Sequence, residues 1–132
     1  MKLILKWEEL ALFVLSIYAL YNMQAQWWIY LLLFLGPDIS MLGYVAGNRT
    51  GAILYNLFHH KGVAAIFFIA GWLSGSWVLQ VTGIVLFGHS CMDRTLGYGL
   101  KYFSGFKFTH LGPIGRPENN TYHEAPSGDS II

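Results

Sequence analysis

Charged residues are scarce in this 132-residue chain. Asp, Glu, Lys and Arg make up 11% of it, whereas about 25% is usual in a soluble domain. Hydrophobic residues make up 55%, and the mean hydropathy is +0.45. We therefore exclude an ordinary soluble globule and expect a membrane protein. Eight basic residues face seven acidic ones, so the chain lacks the basic surface of a nucleic-acid-binding protein.

Cysteine is limited to Cys91, which excludes an internal disulfide. The five histidines are too dispersed for a zinc finger. No repeat of 20 to 50 residues is present, so a solenoid or a pair of tandem transporter halves is not expected. A single small membrane module remains.

Long apolar runs fill the middle of the chain, where only Asp38, Arg49 and Lys61 are charged between Ala11 and Met92. A membrane-spanning helix needs about 20 mainly apolar residues. Four segments meet this need, at 7–22, 26–47, 51–73 and 76–96. Because the runs are continuous rather than alternating, they favour helices over a barrel. The sequence predicts an all-α fold, a four-helix transmembrane bundle over residues 1–97.

Basic residues flank these segments on one side only. Lys2 and Lys6 precede the first segment, Arg49 follows the second, and Arg94 and further basic residues follow the fourth. The first and third connectors contain no basic residues. Because basic residues favour the cytoplasmic side of a membrane, we expect both termini in the cytoplasm. A cleaved signal peptide is the alternative for the N-terminus, but Glu8 and Glu9 argue against it.

The amino-acid composition changes at residues 98–111. Aromatic residues alternate there with Lys101 and Lys107, which is typical of a segment lying at the membrane surface. We expect Lys101, like Arg49 and Arg94, to anchor the chain at that interface. Residues 112–132 contain three prolines and predict a polar cytoplasmic tail.

Ionisable residues inside apolar runs are the main functional candidates. Asp38 follows Gly36 and Pro37, so it lies either in a kinked second helix or at the N-cap of a new one. His59 and His60 lie about 100° apart around a helix, so at most one of them points at a given centre. His89 and Asp93 share a helix face because they are four residues apart.

These ionisable residues are predicted to lie in the same half of the membrane. From a boundary at Arg49 and Arg94, a rise of 1.5 Å per residue puts Asp38 and His59 roughly 15 Å inside the membrane and His89 roughly 8 Å inside. We therefore predict that Asp38, His59 and His89 converge, with Asp93 as an optional fourth ligand, and bind Zn, Mn or Fe. A proton relay or a metal-free hydrogen-bonded network is the alternative.

Four strings resemble the bacterial domain of unknown function 4260 family: LGPDISMLGY at 35–44, GAILYNLFHH at 51–60, GHSCMDRTLGYGLKY at 88–102 and THLG at 109–112. The resemblance covers about residues 10–115 and implies a small integral protein of the bacterial inner membrane, without an activity. The family's motif positions match here at Asp38, Asn56, His59, His60, His89, Asp93, Arg94 and His110.

Three classes of function follow from these residues. The first is a metal-dependent hydrolase acting on a lipid or lipid-linked substrate, in which His60, Asp93 and His110 take part in catalysis. The second is a non-enzymatic accessory subunit or small-molecule binder, including a haem b protein with His59 and His89 as axial ligands. The third is a transporter or channel formed by oligomerisation. Expected partners are the bilayer, further copies of the chain or a larger membrane complex.

Overall fold

Helices dominate the computed structural model, which describes residues 2–103 and 108–114. The elements are α1 (Lys2–Asn22), α2 (Trp27–Leu35), a 3-10 helix (Pro37–Ala46), α3 (Asn48–Phe58), α4 (Lys61–Ser74), α5 (Trp77–Leu96), β1 (Phe108–Thr109) and β2 (Gly112–Pro113). The predicted helical fold class is confirmed. The second and third apolar segments are each divided into two helices.

Membrane-spanning character is supported for part of the helical region. By length and composition, Trp27–Ala46 is apolar enough to cross a bilayer. The α3 and α4 helices pass the same test only as one span with a 47° bend. Within the described residues this gives one or two candidate spans, so the four-span bundle stays a prediction.

The first break lies at Gly36 and Pro37. Helix α2 ends at Leu35, and the chain continues as a ten-residue 3-10 helix. Pro37 has no backbone N–H and therefore cannot donate to the carbonyl four residues earlier. The sequence left two positions for Asp38, in a kinked second helix or at the N-cap of a new one. The structure matches neither fully: a new 3-10 helix begins here, but its N-cap is Gly36 and Asp38 lies in its first turn.

The second break separates the two adjacent histidines. His59 is the C-cap of α3 with φ −104°, and His60 is the N-cap of α4 with ψ 115°. The change in helix direction turns the two side chains apart. His59 is buried, whereas His60 is exposed.

Helix α5 is the centre of the packing, with α1, α2 and α4 around it, while α3 packs on the 3-10 helix. The buried core consists of Leu20, Ile29, Leu33, Val81, Ile84 and Val85. Glycines bring the backbones together. A Cβ on Gly83 would lie 2.6 Å from the Phe68 nitrogen and 2.7 Å from the Ala64 oxygen of α4.

The chain after α5 folds back against the bundle. Lys101 forms an isolated antiparallel bridge with Thr109, and β1 pairs with β2. This short ribbon occupies part of the predicted interfacial segment 98–111. Phe106, Lys107 and the predicted tail beyond residue 114 lie outside the described residues, and the division into 1–97, 98–111 and 112–132 stays a prediction.

We predict that Gly83→Val lowers the free energy of unfolding by about 2 kcal/mol, because the new side chain would push α4 from α5. Thermal unfolding of the detergent-solubilised protein measures the change. Val78→Ile, at a position of the same helix that is 66% exposed, is the control and should change stability by less than about 0.5 kcal/mol. Equal stability of the Gly83→Val variant and the wild type would contradict the close α4–α5 contact.

Candidate metal centre

Four ionisable side chains converge between α3, α5 and the 3-10 helix. Asp38, His59, His89 and Asp93 each offer one ligand atom, and these atoms lie within 4.8 Å of one another. The structure thus brings together the three predicted ligands and Asp93, the optional fourth. His59 and His89 are 3% and 0% exposed. These four residues are called the His/Asp cluster below.

The distances within the His/Asp cluster suit a small metal ion. His59 Nε2 lies 3.3 Å from Asp93 Oδ2 and 3.6 Å from Asp38 Oδ1. His89 Nε2 lies 3.3 Å from Asp38 Oδ1 and 3.7 Å from Asp93 Oδ1. A tetrahedral zinc ion with bonds of about 2.0–2.1 Å holds its ligands about 3.3–3.4 Å apart. These four His–Asp distances are within a few tenths of an ångström of that separation, and all the ligand atoms of the His/Asp cluster lie within 4.8 Å of one another, so the cluster could hold an ion after the side chains close around it.

Backbone carbonyls fix the tautomer of both imidazoles. His59 Nδ1 lies 2.8 Å from the Tyr55 oxygen, and His89 Nδ1 lies 2.9 Å from the Leu33 oxygen. A carbonyl oxygen only accepts, so each Nδ1 carries the proton and donates it. In the neutral rings both Nε2 lone pairs then face the carboxylates.

The two carbonyls differ in their other hydrogen-bond partners. In an α-helix the Leu33 oxygen would accept from residue 37, but Pro37 has no N–H to donate. The Tyr55 oxygen accepts from the His59 backbone N–H at 3.0 Å as well as from the His59 ring. The break at Pro37 thus frees the Leu33 carbonyl for His89, while His59, as the C-cap of α3, shares the Tyr55 carbonyl between its backbone and its ring.

Two Nε2 atoms and two carboxylates therefore meet, and the contact between His89 Nε2 and Asp38 Oδ1 is a hydrogen bond only if one of these two groups carries a further proton. His59 Nε2 is buried and has no hydrogen-bond partner in the described residues. Two lone pairs and two carboxylates are stable together when a cation or additional protons lie between them. Nitrogen and carboxylate donors suit Zn, Mn and Fe, whose ligands include both types.

Tyr55 supports the His/Asp cluster and was missed by the sequence analysis. Its hydroxyl donates to Asp93 Oδ2 at 2.9 Å. Its ring stacks on the His59 imidazole with centroids 3.8 Å apart and an interplanar angle of 10°. The sequence feature that could have identified Tyr55 is its position one helical turn before His59.

Asn56 attaches the chain after α5 to α3. Its Nδ2 donates to the Lys101 oxygen at 2.7 Å, and its Oδ1 accepts from the Lys101 nitrogen at 2.6 Å. Lys101 is fully buried, which corrects its predicted role as an interface anchor. Its Nζ lies 4.9 Å from the Tyr55 ring centroid. Burial lowers the pKa of Lys101 to about 8, against the opposing effect of Asp93 and Asp38.

Two of the predicted catalytic residues lie outside the His/Asp cluster. His60 Nδ1 accepts from the Gly62 nitrogen at 3.0 Å and caps α4. His110 Nδ1 accepts from the Leu100 nitrogen at 2.8 Å. Asp93 belongs to the cluster. The proton-transfer roles of His60 and His110 stay predictions.

Asp38 provides the accessible side of the His/Asp cluster. Its side chain is 38% exposed, while those of His59, His89 and Asp93 are 4%, 0% and 11% exposed. A shallow cavity of about 600 Å³ lies beside Asp38. Its other walls are mainly apolar and include Leu35, Ile39, Leu42 and Val45.

Comparison with known families identifies the chain. The family model described as a domain of unknown function, DUF4260, matches residues 2–114, so the chain belongs to this family. The membership agrees with the resemblance of the four sequence strings. No curated protein and no solved structure matches the chain.

The buried Lys101 predicts a pH dependence of stability. Its pKa is about 8 in the folded chain against 10.5 when exposed, so the unfolded chain binds more protons between these values. The free energy of unfolding of the wild type should therefore rise from pH 8 to pH 10.5 relative to Lys101→Met. Denaturant titrations of both proteins, with a chelator present, measure the difference between their free energies of unfolding. Groups that titrate equally in both proteins cancel in this difference. A constant difference across this range would contradict the lowered pKa.

Proposed function

We propose that this DUF4260 member is an integral membrane metalloprotein that binds one Zn, Mn or Fe ion through Asp38, His59, His89 and Asp93. One observation carries the proposal. Both imidazoles donate from Nδ1 to backbone carbonyls, which leaves both Nε2 atoms facing the same two carboxylates. Metal-binding histidines are oriented by this kind of second hydrogen bond.

The outer surface supports a membrane location. Large apolar side chains are exposed along the helices, among them Trp27 at 75%, Leu73 at 81% and Val45 at 89%. Water would disfavour a continuous surface of this kind, whereas lipid tails would cover it. We propose four spans with both termini in the cytoplasm, in the bacterial inner membrane. Contacts with further copies or a larger complex would cover part of the same surface.

We further propose that the metal ion serves hydrolysis of a lipid or lipid-linked substrate. A bound divalent ion activates water and polarises the oxygen of an ester or phosphoryl group. Asp38 is the most exposed ligand and lies on a 3-10 helix, so a shift of its carboxylate would open a position for water or substrate. The apolar cavity wall of Leu35, Ile39 and Leu42 suits an acyl chain next to that position.

The geometry also bears on the haem alternative. The imidazole centroids of His59 and His89 are 5.0 Å apart at 69°, and carboxylate oxygens lie next to both Nε2 atoms. A bis-histidine haem needs a flat porphyrin between its two axial rings. The His59 and His89 rings are too close together for a porphyrin to fit between them. A non-enzymatic role would therefore be that of a metal-binding accessory subunit.

Elemental analysis of detergent-purified protein tests the metal proposal. We expect about one metal ion per wild-type chain and at least tenfold less in His59→Ala and in His89→Ala, because each variant removes one ligand. His60→Asn keeps a capping acceptor at an exposed position outside the His/Asp cluster, and it should retain the ion.

Circular dichroism and gel filtration establish that each variant is folded. A folded wild type that takes up none of the three metals after dialysis against each of them would overturn the metal proposal. Retention of the ion in both alanine variants would place it elsewhere.

Fluorogenic long-chain carboxylic esters and phosphodiesters in detergent micelles test the hydrolase proposal. We expect turnover of one class by the metal-loaded protein and a loss of roughly 100-fold after chelation or in Asp38→Asn. Asn48→Ala, at an exposed position outside the His/Asp cluster, is the control and should keep full activity. Metal-loaded protein that cleaves neither class would contradict the hydrolase and leave the metalloprotein proposal intact.

A further inference from the structure

A second cavity, of about 430 Å³, lies where α1 begins and α5 ends. One wall is a single face of α1, since its residues follow the spacing i, i+3, i+4, i+7. They are Lys2, Leu5, Lys6 and Glu9. Arg94 at the end of α5 and His110 from the following segment line the opposite wall. None of these residues belongs to the His/Asp cluster.

Positive charge exceeds negative charge around this cavity. Glu9 is the acidic residue among the described residues that line it, and Lys61 Nζ lies 2.7 Å from Glu9 Oε1. Arg94 Nη1 is farther from the same oxygen, at 3.9 Å. Lys61 and Arg94 both pair with Glu9, so the four cationic side chains Lys2, Lys6, Lys61 and Arg94 together leave a net positive charge for an anionic ligand.

His110 adds a donor of a different kind. Its Nδ1 accepts from the Leu100 nitrogen, so the proton of the neutral ring is on Nε2. Burial and the neighbouring Arg94 lower the pKa of His110, which favours this neutral form near pH 7. The lining therefore combines fixed cationic groups with an uncharged N–H donor.

We propose that this cavity binds a phosphate group, and that the group is the headgroup phosphate of an anionic lipid. Lys and Arg side chains recognise phosphate through charge-assisted hydrogen bonds. The cavity volume lies in the range of small-molecule sites. Leu5 in the lining and the exposed Leu3 and Ile4 beside it provide apolar surface for the attached chains. The site goes beyond the proposed function and does not require a metal ion.

Native mass spectrometry of the full-length protein in detergent tests the site. The protein is titrated with equimolar phosphatidylglycerol and phosphatidylcholine, and bound copies of each lipid are counted. We expect selective retention of phosphatidylglycerol by the wild type. Lys6→Gln should weaken it about fivefold, and Lys2→Gln with Lys6→Gln roughly thirtyfold, since each lysine near anionic lipid contributes about one such factor.

Arg49→Gln is the matched control, because it removes one exposed positive charge outside the cavity and should leave lipid binding unchanged. Millimolar inorganic phosphate added to the wild type separates the two sources of the phosphate group. Loss of the lipid to free phosphate would overturn the lipid assignment and indicate a site for a soluble phosphate, whereas retention supports the lipid headgroup.

Three results would overturn the binding of an anionic lipid at this cavity. They are equal retention of both lipids by the wild type, unchanged binding in the double lysine variant, and an equal loss in Arg49→Gln. Lys2 and Lys6 are exposed, so the variants should fold, and thermal unfolding confirms this independently.

Discussion

Two hydrogen bonds from histidine Nδ1 atoms to backbone carbonyls orient the His/Asp cluster, and the proposed metal site depends on them. They hold the protons of His59 and His89 on the side away from the carboxylates. The Leu33 carbonyl is available because Pro37 has no N–H to donate to it, whereas the Tyr55 carbonyl accepts from both the backbone and the ring of His59. Both imidazoles thus turn their Nε2 atoms toward Asp38 and Asp93.

Much of the helical region could be predicted from the sequence, because long apolar runs have few other stable conformations. The shared depth of Asp38, His59 and His89 also predicted their convergence. The choice between His59 and His60 could not be predicted, since it depends on a bend between α3 and α4. The 3-10 conformation after Gly36 and the burial of Lys101 depend on tertiary contacts that local sequence does not encode.

The end of α5 places two adjacent residues at different sites. Asp93 points into the His/Asp cluster, where Tyr55 donates to it, while Arg94 lines the basic cavity next to α1. Asn56 holds the following segment across this end of the bundle. A protein with both proposed sites would bind an anionic headgroup one residue along the helix from its metal ligand.

X-ray absorption spectroscopy of the zinc-loaded protein at the metal edge tests the central claim most directly. The claim predicts scattering from two imidazoles together with oxygen donors, all at about 2.0–2.2 Å from the ion. A spectrum with fewer than two imidazoles, or with sulfur from Cys91 in the coordination sphere, would contradict the assignment of the His/Asp cluster as the metal centre.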